Sequence, residues 1–309
     1  MEENKKIHIK TLIEHLYNTQ YDISEKDFLQ LKENYDLLMT IVWINEKYGM
    51  ILDNYYEFVL EVDKVWKELL EAKEKQIVSI GKKSIVTFNR RLSNLLCSVR
   101  MYIDQTQCEL SRLNLNECTK DDFHSYTSER YDNSISYQVM ELLRNHMQHQ
   151  GLIVDRITFM KPFCDNQEYI FLVIDIAYKR LCNIERYEKK IFLDNILKDM
   201  NVNTFNLLWF VDEYVKGLEI VHKKLMEKLL KNISCAQNEI ELILRRYYEK
   251  IPSEIGVFSD ENDFLIQYNY VLQASDIPKM IDCYEGKKYF KSSENITGNF
   301  QSNRIRYNM

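Results

Sequence analysis

The chain has 309 residues and carries 41 Lys and Arg against 47 Asp and Glu, a formal net charge of −6. This balance excludes binding to nucleic acid through overall electrostatics, so any grip on a phosphate backbone must come from a local basic patch. Hydrophobic residues make up 45% and charged residues 28%, with only 7 Gly and 3 Pro, a composition that excludes a disordered chain and predicts long helices around a sizeable core.

In chain order, residues 7–18 read as a short helix. Ser24, Glu25, Lys26 and Asp27 then look like a helix start leading into Phe28, Leu31, Tyr35, Leu38 and Met39, with Gly49 interrupting or bending the run. A second long helix is expected over 52–78, with Tyr56, Val59, Leu60, Val62, Trp66 and Leu70 inward and Gly81 closing it. The third, 84–113, carries the cleanest stripe in the chain: Phe88, Leu92, Leu95, Leu96, Val99, Tyr102, Ile103, Leu110 and Leu113. Residues 114–131 are polar and aperiodic and include His124; they read as a loop that gates or reads a substrate beside the site.

An amphipathic helix follows over 134–151. Ser134 or Asp132 can accept from its first free amides, and Gly151 can supply a left-handed cap. At about 100° per residue, Ile135, Val139, Leu142, Leu143 and His146 share the side to be buried. His146 is thereby a core histidine. Beyond Gly151 the period changes: 152–160 and 169–178 are rich in Ile, Val, Phe and Tyr and flank a turn-like segment at 161–168, which reads as a β-hairpin, with 264–271 as a third strand. Helices are expected at 184–197, 204–230 and 234–250, with Asn232 to Cys235 as the turn between the last two. From residue 285 the composition is polar, as in a mobile tail.

The seven cysteines (Cys97, Cys108, Cys118, Cys164, Cys182, Cys235 and Cys283) are odd in number and lack Cys-x-x-Cys spacing, so they read as reduced thiols of a cytoplasmic protein. The first residues lack the apolar core of a signal peptide. No run approaches the ~20 apolar residues of a membrane span, and no membrane partner is expected.

One constellation carries chemistry. Arg144, Asn145 and His149 stand in the order Arg-Asn-x-x-x-His at the end of the 134–151 helix. A histidine can give or take a proton near neutrality, an arginine can hold a phosphate through its planar fork, and an asparagine can orient either. The set suits cleavage of RNA by its own 2′-hydroxyl, which needs a base, an acid and charge stabilisation at the pentacoordinate phosphate, and no metal or other cofactor. Arg144 and His149 lie about 140° apart on an ideal helix, so they meet at one ligand only if the last turn opens or a phosphate sits across the helix end. The alternative is that Arg144 and Asn145 are solvated and His149 is an ordinary C-terminal histidine favoured by the helix dipole. His146 with His149 can also be read as an i, i+3 metal pair, but Glu141 and the distant His124 are the only further ligands in view, and no metal site is assigned.

With Arg144 to His149 the chain resembles the HEPN superfamily of bacterial and archaeal ribonucleases, whose signature is Arg-x(4 to 6)-His near a helix end, commonly with Asn after the Arg. The helix from Thr87 to Asp104 resembles the partner helix of abortive-infection-type members. The resemblance implies a mainly α, HEPN-like antiparallel bundle and a metal-independent endoribonuclease with a composite active site. A single motif in the chain then implies a homodimer. It further implies a toxin or anti-phage defence effector, with an antitoxin or regulatory protein as a partner. On this reading Arg144 binds the scissile phosphate, His149 is acid or base, and Asn145 orients the pair. Basic candidates for an RNA surface are Lys82, Lys83, Arg90, Arg91 and Arg100, with Arg245 and Arg246 further on; each alone is also a solvated helix face.

The expected organisation is a HEPN-like helical domain over 1–151, the hairpin over 152–180, a C-terminal helical region with the third strand over 181–284, and the tail over 285–309. A HEPN-fold dimerisation or interaction module without catalysis stays open as the other reading.

Overall fold

The computed structural model describes residues 8–11, 20–113, 115, 120–160, 163–164, 167–168, 171–176, 205–258 and 263–283. Over these the chain is mainly α. Strands β1 (His8–Thr11) and β2 (Gln20–Asp22) precede helices α1 (Glu25–Glu71), α2 (Glu74–Arg112), α3 (Lys120–Asn133) and α4 (Ile135–His149). Then come β3 (Val154–Met160), β4 (Phe163–Cys164), β5 (Gln167–Glu168), β6 (Phe171–Ile176), β7 (Phe205–Asn206), α5 (Leu207–Leu244), β8 (Glu254–Phe258), β9 (Phe264–Gln267) and α6 (Tyr268–Cys283). The expected helix at 184–197 and the tail from 285 lie outside the described residues.

The residues form two compact units, and α1, α2 and α5 each contribute to both. One unit is built from the chain up to Lys47, Thr106–Lys120 and Lys223 onward through α6; the other from Tyr48–Gln105 and Asp121–His222.

In the first unit β2, β1, β8 and β9 make an antiparallel four-stranded sheet, with His8 opposite Phe258 and Ile255 opposite Ile266. Of the helix expected over 7–18 only residues 8–11 are described, and they are corrected to strand β1, because Ile9 is fully buried in a ladder whose partner β8 is distant in sequence. Likewise, Phe264–Gln267 does not extend the hairpin; it pairs with β8. Asp27 caps this unit's polar edge, receiving Arg246 at 3.0 Å and the Tyr247 hydroxyl at 3.3 Å. Glu239 accepts from Gln30 and Asn34 at 3.0 and 2.7 Å, bonds that hold its carboxyl below its ordinary pKa.

In the second unit β3 pairs antiparallel with β6, as the hairpin reading expected, and β7 supplies the third strand through Asp175 opposite Asn206. The intervening segment adds its own small ladder, β4 with β5. Phe58, Phe88, Tyr102, Phe123, Phe210 and Tyr214 are fully buried here. His222, also buried, stacks on Tyr48 with ring centroids 4.0 Å apart and shares a 3.0 Å hydrogen bond from Nδ1 with the Tyr102 hydroxyl. Burial pushes its pKa down to about 3.

Neither Gly49 nor Gly81 ends a helix. Each costs about 1 kcal/mol relative to alanine, little beside the apolar stripes that continue through both positions. The break falls at Ala72 and Lys73 instead. Within α1 the buried side is Tyr55, Phe58, Val59, Val62, Val65 and Leu69, while Tyr56 and Leu60 are exposed, which corrects the inward assignment of those two. The turn expected at 232–235 is also absent: α5 runs through it because Ile233 and Ala236 keep the stripe buried, and Asn and Ser there cost too little to stop a helix. The loop expected over 114–131 is corrected to α3 from Lys120. Asp121 and Asp122 favour its positive N-terminal end, but only Phe123 and Thr127 are buried, so the sequence shows no stripe.

Candidate functional site

The helix carrying the motif is closed at its N-terminus by a residue its sequence suggests, and at its C-terminus by Gln150. The Ser134 hydroxyl accepts from the Tyr137 amide at 3.2 Å. At the other end the His146 carbonyl accepts from the amides of Gln150, at 2.7 Å, and Gly151, at 3.1 Å; Gly151 adopts φ +150°, positive but well away from the left-handed helical value expected. Val139, Met140, Leu142, Leu143 and His146 form the buried side. Ile135 does not: it is 51% exposed, and Ser136 and Tyr137 turn inward in its place.

The start of β3, just beyond the helix, is fixed by one side chain. Asn89 on α2, 2% exposed, accepts from the amides of Ile153 and Val154, both at 2.9 Å, and donates to the Val154 carbonyl at 2.9 Å. Three backbone groups are thereby paired inside the core. The segment that follows α4 is anchored to α2 by this bridge.

The motif residues sit at that end in different settings. His149 is exposed and Asn145 half-buried. Arg144 is held along its own helix: Nε and a terminal nitrogen donate to Glu141 Oε2 at 3.1 and 3.0 Å, and the other terminal nitrogen reaches Gln148 at 3.3 Å. Both partners of the ion pair are largely covered, with side-chain exposures of 13% and 15%. The second oxygen of Glu141 accepts from the Tyr214 hydroxyl of α5 at 2.7 Å. Arg144 thus belongs to a chain Tyr214–Glu141–Arg144–Gln148 that reaches from the core to the surface.

Tyr137 lies edge-on to Tyr214, with centroids 4.9 Å apart, and to Tyr131 on α3 at 6.3 Å. Burial and the Glu141 charge push the Tyr137 pKa up, against the pull of Arg100, Arg144 and Arg130. Tyr214 is shifted upward by its burial first and by Glu141 next. Both phenols are therefore protonated donors at any physiological pH.

Of the basic candidates on α2, Lys82, Lys83 and Arg90 are exposed. Arg91 is ion-paired with Glu57, and Arg100 with Asp104 at 2.6 Å. Arg246 is engaged with Asp27 and Arg245 with Glu241 at 3.7 Å. Four of the seven candidates are thus already matched by an acidic partner, and the exposed group is confined to Lys82, Lys83 and Arg90.

Tyr137, Glu141 as an arginine clamp, Tyr214 and Asn89 are missed by motif reading. The Glu141–Arg144 pair is visible in the sequence as an i, i+3 contact of opposite charge. Tyr214 and Asn89 leave no local signal, since their partners lie 73 and 64 to 65 residues away.

Comparison of the chain with family models, with curated proteins and with solved structures returns no match. Among the described residues, no helix is long and apolar enough to cross a membrane.

Proposed function

We propose that the protein is a metal-independent endoribonuclease of HEPN type, cleaving RNA by attack of the 2′-hydroxyl at a composite site in a homodimer, and that it serves as a toxin or anti-phage defence effector in the cytoplasm. The observation that carries this is the placement of Arg144, Asn145 and His149 in the last turns of a capped helix, with the histidine exposed and the segment that follows held by Asn89. His149 then exchanges the proton of the 2′-hydroxyl or the leaving oxygen, Asn145 orients it, and Arg144 meets the scissile phosphate. Two copies of the helix end, one from each protomer, supply the acid and the base. An RNA substrate and an antitoxin or regulatory protein are the partners this reading requires.

One observation favours a second reading. Arg144 already has its charge matched by Glu141, so a phosphate must compete with a covered carboxylate or exchange Arg144 out of it. An interaction module of HEPN fold, with Arg144 as a structural arginine, needs no such exchange.

The two readings separate in one experiment. RNA is incubated in EDTA with the wild type and with His149→Ala, product ends are characterised, and the mass in solution is measured for both. The nuclease reading expects a dimer in each case, cleavage by the wild type alone, and cyclic phosphate ends. Dimers without cleavage across varied RNAs would falsify it and leave the interaction module; a monomer would remove both.

A further inference from the structure

Arg130, in the last turn of α3, is the arginine near the motif helix whose charge has no carboxylate on it. Among the described residues it forms no ion pair, and its Nε is buried without a hydrogen-bond partner. Its side chain lies against α5 at Gly217, where a Cβ would stand 2.8 Å from Nε and 3.4 Å from Cγ. A glycine buried mid-helix costs about 1 kcal/mol relative to alanine. Here it provides the space in which the guanidinium rests.

The Tyr137 hydroxyl is the second unpartnered donor. Tyr137 is 3% exposed, and its oxygen has no hydrogen-bond partner. An orphaned buried hydroxyl is costly, and phenylalanine would fill the same space without that cost. Tyr137 packs on Tyr214 and Arg130 lies against Gly217, one turn apart on α5, so both groups face the same stretch of that helix. Arg100 is balanced by Asp104 and Arg144 by Glu141, so the surplus positive charge is that of Arg130. Beside it Tyr131, 42% exposed, presents an aromatic ring to solvent while its edge packs on Tyr137.

A buried neutral O–H donor, an uncompensated guanidinium with a free N–H, and an adjoining exposed aromatic ring form a complementary set. The first two fit a phosphoryl oxygen and the third fits the face of a base. We infer that Arg130 and Tyr137 form a phosphate-binding site, floored by Gly217 and adjoined by Tyr131 as a base-stacking face, which takes one nucleotide unit of a single-stranded RNA next to the Arg144 helix end. The phosphate site stands on its own geometry; the identity of its ligand as RNA rests on the nuclease reading.

The site is read with two probes: inorganic phosphate by calorimetry, and a short 2′-O-methyl oligonucleotide, which lacks the attacking hydroxyl, by fluorescence anisotropy over a salt series. Arg130→Gln is expected to weaken the oligonucleotide about tenfold and to flatten the salt slope by about 0.7, the amount for one phosphate contact on a single strand. Tyr137→Phe is expected to weaken binding while leaving the melting temperature unchanged or raised. Gly217→Ala keeps α5 helical and displaces Arg130, and is expected to lower affinity without loss of fold. Tyr131→Ala should weaken the oligonucleotide and leave inorganic phosphate as it was.

If phosphate binds through Arg130 but the oligonucleotide does not, the anion site holds and its RNA ligand is refuted. If the oligonucleotide binds through Arg130, survives His149→Ala, and the wild type never cleaves RNA, the site stands while the nuclease reading falls. Equal binding of both probes to wild type, Arg130→Gln and Gly217→Ala would overturn the site altogether.

Discussion

Acid should weaken this fold through His222, by an amount that can be worked out. Desolvation holds the folded imidazole neutral to about pH 3, against an ordinary value of 6.5. Between those values the unfolded chain binds a proton that the folded chain does not, so stability is complete above pH 6.5 and is lost as pH falls toward 3. Going from pH 7 to pH 5 removes about 2 kcal/mol through this one group, and the loss reaches about 4 kcal/mol by pH 3. His222→Phe is the control: the ring keeps its place on Tyr48 at 4.0 Å spacing but cannot titrate. Urea unfolding of both proteins at pH 7 and pH 5 isolates the effect, because every other titrating group is shared. With a slope of about 3 kcal/mol per molar urea, the wild-type midpoint should fall by about 0.7 M more than that of the variant. Midpoints that move in parallel would mean that water or a rearranged core lets His222 ionise in the folded state, and the burial argument would be refuted.

Asn89→Ala should cost about 2–4 kcal/mol, since it strands two amides and a carbonyl inside the core. Thermal melting reads the loss, and hydrogen exchange at Ile153 and Val154 should rise before that of α2; unchanged exchange there would show that the bridge does not hold β3. Tyr214→Phe removes the donor to Glu141 and should cost about 1.5–3 kcal/mol, the range for a bond to a charged group. A melt identical to the wild type would mean that water replaces the phenol at no cost.

How far the sequence foretold this arrangement depends on how local each cause is. The cap at Ser134, the core position of His146 and the β3–β6 hairpin are consequences of residues close in sequence, and all are legible, whereas the left-handed cap expected of Gly151 does not form. Helix α3 is not, because Phe123 and Thr127 alone face inward and two buried positions make no period. Strand β1 reads as a helix because its partner β8 is nearly the full chain away. The same logic governs the site: Arg144 and His149 stand out by spacing, and Glu141 could be paired with Arg144 by the i, i+3 rule. Arg130 and Gly217 become related only once α3 and α5 are brought together.

The pairing of β1 with β8 bears on how the protein is made. His8 meets Phe258, so β1 leaves a ribosome long before its ladder partner is synthesised. Closing so long a loop is slow, and until then β1 and β2 present an open edge to any passing strand. A chain cut after α5 never acquires β8. Such a fragment should aggregate through that edge even though every residue of α4 is intact, and chaperone demand during synthesis should fall away only as the region around residue 258 emerges.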